Sequence, residues 1–202
     1  MSETGRSTHV RHDTLRRNPP RPNMTLASTL TSPETAVGAP IGVAIGESSI
    51  GTVLLAHTRA GVCAVLVGDD ADELRRELDR TMPDATGAGD AALLARVIER
   101  IEHPAGAGAE VPLDVGGTPF QRDVWHALVD IPSGETTTYA EVARRVGRPY
   151  AVRAVASAIA ANPVAVLVPC HRVIRSDGSL SGYRWGVERK RVLLEREGAA
   201  VA

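Results

Sequence analysis

Two apolar runs joined by a tight turn constrain the fold of this chain more than any other feature. Residues 52–56 and 62–67 read TVLLA and VCAVLV, and the turn between them contains Arg59, Ala60 and Gly61. Aliphatic and β-branched runs around a glycine-containing turn predict a β-hairpin. A third run of this kind, IGVAI, precedes the hairpin. The first half of the chain is therefore expected to contain a small sheet.

Helical patterns follow the hairpin within the same half. Apolar residues recur with helical spacing in ADELRRELDRTM and AALLARVIERI, at residues 71–82 and 91–101. The combination predicts a small α/β domain over residues 36–114. Cys63, in the second strand of the hairpin, is expected to pack inward as an unreactive thiol. The Gly- and Pro-rich stretch at residues 106–119 is expected to be a linker.

The second half, residues 115–202, is predicted to be mostly helical. One apolar stripe with helical spacing ends at the triplet PSG, and it contains Phe120, Val124, Leu128 and Ile131. Thr138 and Glu141 form a capping-box pattern at the start of the helix YAEVARRV. A second helix, residues 150–161, follows a Gly-Arg-Pro turn and ends at Asn-Pro. Two short helices with this spacing predict a helix-turn-helix.

The second of these helices has a thin outer face. Its core stripe is expected at Val152, Val155, Ala156 and Ile159. The remaining positions are small apart from Arg153, and they are Ala151, Ala154, Ser157, Ala158 and Ala160. Small residues allow a helix to approach a DNA minor groove closely, and they equally suit an Ala-rich helix packed against a neighbour. The pattern alone leaves both interpretations open.

Composition excludes several classes of protein. Apolar residues make up 43% of the 202 residues, enough for a globular core, and the sequence shows neither a membrane-spanning run nor an apolar signal sequence. A cytoplasmic protein is expected, with a disordered tail at residues 1–35, which mix Ser, Thr, Arg and Pro. Two cysteines, with six histidines that lack ligand spacing, indicate no metal site.

Charge is distributed unevenly along the chain. Residues 36–114 carry 6 Arg against 13 Asp and Glu, whereas residues 115–202 carry 12 Arg and Lys against 8 acidic residues. A nucleic acid would therefore bind the second half, because phosphates attract a locally basic surface. A solvated charged surface explains the same counts.

The stretch VPCHRVI places the thiol of Cys170 next to the imidazole of His171. A free cysteine is commonly a small buried residue without reactivity. Pro169 lacks a backbone donor, which indicates that a strand-like segment ends there and presents the thiol at an edge or in a pocket. Neighbouring side chains on an extended chain point to opposite sides. His171 is therefore expected to reach the sulfur through a relay or a bend in the chain rather than by direct contact.

Several motifs, taken in order, resemble those of the O6-alkylguanine-DNA alkyltransferases. They are FQRDVW, IPSGE, Thr138-Tyr139, AVRAVASA, Asn162-Pro163, VPCHRVI and SGYRWG. The resemblance covers about residues 38–198. Matching residues are few in the first domain and frequent after Thr118, and the similarity is closest to the C-terminal half of bacterial Ada. It implies a ribonuclease-H-like α/β domain followed by a mostly α, winged-helix-like helix-turn-helix domain. Residues 1–35 hold no counterpart of the four-cysteine metal centre of Ada, so its sensing and transcriptional roles are not expected.

The resemblance also implies the residues of an alkyl-acceptor site. Cys170 matches the acceptor thiolate, whose pKa a histidine relay would lower. His171 matches the residue that removes the thiol proton through a bound water, and Glu197 matches the carboxylate that orients this histidine. Asn162 matches a hydrogen-bonding residue beside the pocket. Tyr183 matches a wall residue that contacts the extruded guanine and could donate a proton to it.

The implied DNA contacts belong to the helix-turn-helix. Arg153 matches a residue that enters the base stack in place of a flipped nucleotide. Tyr139 matches the residue that rotates the target phosphate as the nucleotide flips. Three small residues of the second helix would face the DNA, and they are Ala151, Ala154 and Ser157.

The implied function is repair of O6-alkylguanine, and of O4-methylthymine, by irreversible transfer of the alkyl group to Cys170. The thioether product has no good leaving group, so each molecule would react once. The expected partner is double-stranded DNA containing O6-alkylguanine, bound by a monomer that needs no cofactor. Two alternatives stay open: a helix-turn-helix protein that marks lesions or regulates genes, and a cysteine hydrolase built on Cys170, His171 and Glu197.

Overall fold

The computed structural model describes residues 40–104 and 110–200. The tail expected at residues 1–35, and part of the expected linker, lie outside the described residues. No helix within the described part is long and apolar enough to cross a membrane. Nor does that part of the chain bring three or more His, Cys, Asp or Glu side chains together as a metal site.

The first half forms a four-stranded sheet with two helices. Its elements are β1 (Gly42–Ser48), β2 (Gly51–His57), β3 (Val62–Gly68), α1 (Ala71–Thr81), β4 (Gly87–Ala88) and α2 (Ala91–Glu102). The strand order is β3-β2-β1-β4, with β1, β2 and β3 antiparallel and β4 parallel to β1. The predicted hairpin is confirmed, because β2 pairs with β3 through partners such as Leu55 and Val65.

The two helices cover opposite faces of this sheet. Successive side chains of a strand point to opposite faces, and the residues of β2 and β3 divide in that way. Leu54 and Cys63 pack in the cluster under α1, whereas Leu55 and Val65 pack in the larger cluster that includes residues of α2. Cys63 therefore points inward as predicted, and burial raises the pKa of its thiol to about 11.

The described part of the expected linker packs against the sheet. The N–H of Val62 donates to the carbonyl of Pro112, and the N–H of Asp114 donates to the carbonyl of Val62, both at 2.8 Å. The buried apolar residues of this segment are Val111, Leu113 and Val115, and Asp114 is buried between them. Their alternation with polar or Pro positions is the pattern of a half-buried strand. The linker prediction is therefore wrong for this segment.

The second half is mostly helical, as predicted. Its elements are α3 (Pro119–Val129), β5 (Thr137–Thr138), α4 (Tyr139–Arg145), α5 (Val152–Ala160), a 3₁₀ turn (Cys170–Arg172), β6 (Val173–Ile174) and α6 (Val187–Arg196). The short strands β5 and β6 pair in parallel. The chain thus combines a small α/β part with a helical part.

Side chains fix where two helices of the second half, α3 and α4, begin. At α4 the hydroxyl of Thr138 accepts from the N–H of Glu141 at 3.2 Å, but the Glu141 carboxylate contacts Arg144 and Arg145. The predicted capping box is therefore only half formed there. A complete capping box lies at α3, between Thr118 and Gln121. A proline at the first position of α3 favours the same start.

Helices α4 and α5 flank a turn at Gly147, whose φ of +69° suits glycine. Helix α5 is buried along Val155, Ala158 and Ile159. Ala158, predicted on the outer face, instead lies under α3, where its carbonyl accepts from the indole N–H of Trp125 at 2.8 Å. Helix α5 therefore packs against a neighbour on one face. Its exposed residues are Arg153, Ala154, Ser157 and Ala160.

The two halves share one hydrophobic core. Val65 of β3 and Val164 lie in the same buried cluster. Their segments also pair through the backbone, since the N–H of Val65 donates to Pro163 at 2.9 Å and the N–H of Ala165 donates to Val65 at 3.0 Å. The edge strand of the sheet therefore anchors the segment that leads to Cys170.

Candidate active site

Cys170 begins the 3₁₀ turn directly after Pro169. The N–H of Arg172 donates to the carbonyl of Pro169 at 3.0 Å, so the chain bends at this point, which is one of the two expected arrangements. Cys170 is 6% exposed and borders a cavity of about 350 Å³, here called the Cys170 cavity. Other residues on its wall include Tyr139, Ala156, Gly182, Tyr183, Arg184 and Trp185.

Asn162 ties the sulfur to the loop that precedes it. Its buried amide donates to Cys170 Sγ at 3.2 Å and to the carbonyl of Val168 at 2.9 Å. Its Oδ1 accepts from the N–H of Val164 at 3.0 Å. The predicted hydrogen-bonding residue beside the pocket thus lies in contact with the thiol. A donor at this distance favours the charged form of the sulfur.

The same loop contains an uncommon backbone conformation at Val166, which has a φ of +65°. The N–H of Leu167 donates to the carbonyl of Ala165 at 2.7 Å, which closes a three-residue turn around Val166. A β-branched residue with positive φ is strained by about 1–3 kcal/mol. The bonds of Asn162 on both sides of this turn hold the strained conformation in place.

His171 is fully buried. Its Nε2 lies 2.9 Å from Oε1 of Glu197, whereas its Nδ1 has no hydrogen-bond partner among the described residues. A carboxylate only accepts, so Nε2 carries the proton and Nδ1 keeps a free lone pair. Burial lowers the pKa of His171 against the opposing effect of Glu197. The imidazole is therefore neutral and able to accept a proton at Nδ1.

Glu197 is held by His171 and by Arg172. The guanidinium of Arg172 donates to Oε2 at 2.9 Å and to Oε1 at 2.8 Å, in a two-pronged contact. Burial alone would raise the pKa of Glu197, but the hydrogen bonds from His171 and Arg172 outweigh it and lower the pKa to about 2. Arg172 was missed as a site residue. Only its position beside Cys170-His171 signalled it.

Burial favours the protonated form of the Cys170 thiol. Burial raises its pKa to about 11, against the hydrogen bond from Asn162 and the positive charges of Lys190 and Arg184. The expectation of a lowered thiol pKa is therefore wrong for the protein without DNA. The reason is that desolvation of the thiolate outweighs the stabilising contacts. Thiolate formation thus depends on a base that takes the proton.

Lys190 is a second residue that the sequence analysis missed. Only 1% of it is exposed, and its ammonium donates to the carbonyl of Val173 at 2.5 Å and to the hydroxyl of Ser181 at 3.1 Å. That hydroxyl lies 2.6 Å from the hydroxyl of Tyr139. Burial lowers the pKa of Lys190 to about 8. Its run RKRVLL is an ordinary amphipathic pattern, which gives no sign of a buried amine.

Tyr183 lies on the wall of the Cys170 cavity between two aromatic neighbours. Its ring meets the imidazole of His171 edge-on at 6.4 Å between centroids, and the indole of Trp185 at 5.2 Å. Burial, with the charges of Cys170 and Glu197, raises the pKa of Tyr183 well above its usual value. The hydroxyl therefore stays protonated and available as a donor.

The residues predicted to contact DNA do not all lie on one surface. Arg153, Ala154 and Ser157 are exposed on α5, and Ala151 directly precedes that helix. Tyr139 is instead on the wall of the Cys170 cavity. Helix α5 contributes to both the exposed surface and the cavity, because Ala156 of this helix also borders the cavity.

Comparisons with known proteins show which family has a similar sequence and fold. A family model described as 6-O-methylguanine DNA methyltransferase, DNA binding domain, matches residues 119–199. The Bifunctional transcriptional activator/DNA repair enzyme Ada of Escherichia coli is 48% identical over 157 residues, which are 76% of this chain and 44% of Ada. The Methylated-DNA--protein-cysteine methyltransferase of Mycobacterium tuberculosis is 54% identical over 88 residues, which are 44% of this chain and 53% of that protein.

A solved structure extends the likeness to both halves. The crystal structure of Mycobacterium tuberculosis OGT in complex with DNA is 34% identical, with a TM-score of 0.64 over 76% of this chain and 91% of that one. The chain spans about half the length, or less, of the curated relatives it matches. On the sequence, the fold and the surroundings of Cys170 together, the chain belongs to the 6-O-methylguanine DNA methyltransferase family.

Proposed function

We propose that this protein repairs DNA by transferring the methyl group of O6-methylguanine to Sγ of Cys170, once per molecule. One observation carries the proposal: the thiol borders an open cavity, Asn162 donates to the sulfur, and the next residue in the chain, His171, contacts the carboxylate of Glu197. A soft sulfur nucleophile suits displacement at an alkyl carbon. The family relatives, named as methyltransferases that act on a protein cysteine, support the same chemistry.

The first step is removal of the thiol proton. With a thiol pKa of about 11, free thiolate is scarce at neutral pH. Nδ1 of His171 is the unpaired acceptor, and we propose that it takes the proton through a water molecule. Glu197 then stabilises the imidazolium that forms. Asn162 stabilises the thiolate through the donor it already directs at the sulfur.

The second step is the transfer itself. A bond forms between Sγ and the methyl carbon, the bond between that carbon and O6 breaks, and its electron pair passes to the guanine. Hydrogen-bond donors around the base stabilise this developing charge. Tyr183 keeps its hydroxyl proton, and we propose that it donates a hydrogen bond to the departing guanine. The proton that His171 took from the thiol passes to the guanine, so the products are a thioether and neutral guanine. The thioether has no group able to leave, so the protein is consumed.

The outer face of α5 is proposed to bind the DNA. Arg153 is the long charged side chain on a face made otherwise of small residues, here Ala154, Ser157 and Ala160. A guanine inside a duplex is out of reach of Cys170, so the nucleotide must flip out. Arg153 would fill the gap in the stack, and Ala151 would lie near the backbone. Tyr139 would meet the flipped nucleotide at the cavity wall, where the resemblance assigns it the rotation of the phosphate.

The finer fold assignments are proposals of the same kind. The sheet order β3-β2-β1-β4, with helices on both faces, supports a ribonuclease-H-like first domain over residues 36–114. The pair α4 and α5, with the small sheet of β5 and β6, supports a winged-helix-like domain over residues 115–202. Monomeric state and cytoplasmic location stay predictions.

Mass spectrometry tests the proposed function directly. The protein is incubated with a duplex that contains one O6-methylguanine, and in parallel with an O4-methylthymine duplex and an unmodified duplex. The expected result is one methyl group per molecule, located on Cys170 by peptide mapping and absent from Cys170→Ala. A methyl group on Cys63, or none at all, would contradict the proposal. Repeated turnover on an ester or peptide would favour a hydrolase.

Full protection of cells by Cys170→Ala against a methylating agent would favour lesion marking instead. That variant retains the exposed face of α5 but lacks the acceptor. The matched control is Cys63→Ala, which removes the other buried thiol and is expected to transfer methyl groups normally.

A further inference from the structure

The side chain of Arg184 lies where three cavities of the molecule meet. It borders the Cys170 cavity of about 350 Å³, an outer groove of about 790 Å³ along α1, and a cavity of about 220 Å³ beside Cys63. Trp185 also borders both the Cys170 cavity and the outer groove. The guanidinium therefore forms part of the partition between the reacting thiol and the neighbouring space.

Contacts from both halves of the chain hold this guanidinium. Its Nη2 and Nε donate to Oε1 of Glu77 at 2.5 and 3.2 Å, across 107 positions of sequence. Its Nη1 lies 3.3 Å from the carbonyl of Asn162, and its Cζ lies 5.6 Å from the centroid of the Trp185 ring. Glu77, on α1, supplies the ionic contact of the guanidinium. Arg184 is about one-third exposed, so it has room to turn outward when that contact is lost.

We propose that Glu77 is a specificity-determining residue, which limits the size of the alkyl group that Cys170 accepts by holding Arg184 as a wall of the cavity. The inference rests on the proposed function. In the displacement, the alkyl carbon lies between Sγ and O6, and a substituent larger than methyl must project against the wall. When Arg184 is released, the Cys170 cavity opens into the outer groove, and a benzyl group gains space.

The structure offers a matched control for this contact. Arg189 makes the corresponding ion pair between the halves, with Nη2 at 2.5 Å from Oδ1 of Asp69. Arg189 borders the outer groove, but it is not among the residues that wall the Cys170 cavity. Removing Asp69 breaks an ion pair between the halves, while Arg189 keeps its bonds to the carbonyls of Ile50 and Trp185, and Arg184 keeps its contact with Glu77.

The test measures rates of alkyl transfer from duplexes that carry O6-methylguanine or O6-benzylguanine. Four full-length proteins are compared: the wild type, Glu77→Ala, Asp69→Ala and Arg184→Ser. The measured quantity is the ratio of the benzyl rate to the methyl rate. We expect Glu77→Ala and Arg184→Ser to raise this ratio about tenfold, the scale of steric discrimination in an apolar pocket. Asp69→Ala is expected to leave the ratio within about twofold, since the partition is untouched.

The ratio is insensitive to partial unfolding, because both rates come from the same folded molecules. Thermal unfolding of each variant is measured alongside, and Glu77→Gln replaces Glu77→Ala if that variant does not fold. An unchanged ratio in the Glu77 variant, or an equal rise in Asp69→Ala, overturns the inference while methyl transfer by the wild type upholds the proposed function. Absence of methyl transfer by the wild type overturns both.

Discussion

Oε1 of Glu197 lies 2.9 Å from Nε2 of His171, and Nδ1 of the same ring has no hydrogen-bond partner among the described residues. The carboxylate fixes which nitrogen carries the proton. Because Arg172 donates hydrogen bonds to both oxygens of Glu197, the carboxylate cannot rotate away without breaking a buried ion pair. The proposed base is thus oriented by a carboxylate 26 positions away in sequence, which Arg172, next to the base in the chain, holds in turn.

Replacing Glu197 with Gln should slow methyl transfer by about a hundredfold or more, which is the rate enhancement that a positioned general base usually contributes. The amide lacks the charge that stabilises the imidazolium, and it leaves Arg172 without its buried anion. Single-turnover kinetics with an O6-methylguanine duplex measure the effect. The variant should also lose about 3–5 kcal/mol of stability to urea, because a buried charge loses its partner. A rate equal to that of the wild type would contradict the assigned role.

Replacing Asn162 with Asp should raise the pKa of Cys170 above its value of about 11. The new carboxylate keeps an oxygen for the N–H of Val164 but no longer donates to the sulfur, and its charge disfavours a thiolate. Ultraviolet absorbance of the thiolate against pH, in a Cys63→Ala background, measures the shift. Transfer should slow by about 10- to 100-fold, the worth of a hydrogen bond to a charged group. An unchanged or lowered thiol pKa would contradict the role assigned to the Asn162 contact.

Replacing Arg153 with Ala should reduce transfer from duplex DNA by about tenfold or more, because the side chain no longer offsets a flip that costs a few kcal/mol. Reaction with the free base O6-methylguanine needs no flip and should keep its rate. The control is Arg80→Ala, which removes an exposed arginine from α1. Equal losses with duplex and free base would place Arg153 in the chemistry or in the fold rather than in DNA binding.

The stability of the protein should fall at acid pH partly through Glu197. Its pKa is about 2 in the folded protein and about 4.3 in an unfolded chain. Its contribution is therefore complete above about pH 4.3 and is lost as the pH falls toward 2. Urea unfolding from pH 7 to pH 2.5 measures the loss. Glu197→Gln should show a smaller decline than the wild type, whereas Glu195→Gln, at an exposed position, should decline as the wild type does.

Local patterns in the sequence predicted the elements well where packing agreed with propensity. The hairpin, α1, α2 and the pair α4 and α5 lie where the apolar spacing placed them. The predictions were wrong where tertiary contacts decide whether a residue is buried or paired. VPLDV contains Pro and lies in a Gly-rich stretch, yet it pairs with Val62. Ala158 is buried in the core cluster that also contains Trp125 of α3.

By itself the sequence determined the chemical groups and their order. The thiol of Cys170 is followed by the imidazole of His171, Asn162 lies eight residues before the thiol, and the carboxylate of Glu197 follows later in the chain. Tertiary structure decided what those groups can do. The thiol pKa is raised because the fold desolvates Cys170, and Glu77 meets Arg184 because two halves of the chain share one core. Burial and long-range contacts depend on the whole packed molecule, so no local pattern of residues encodes them.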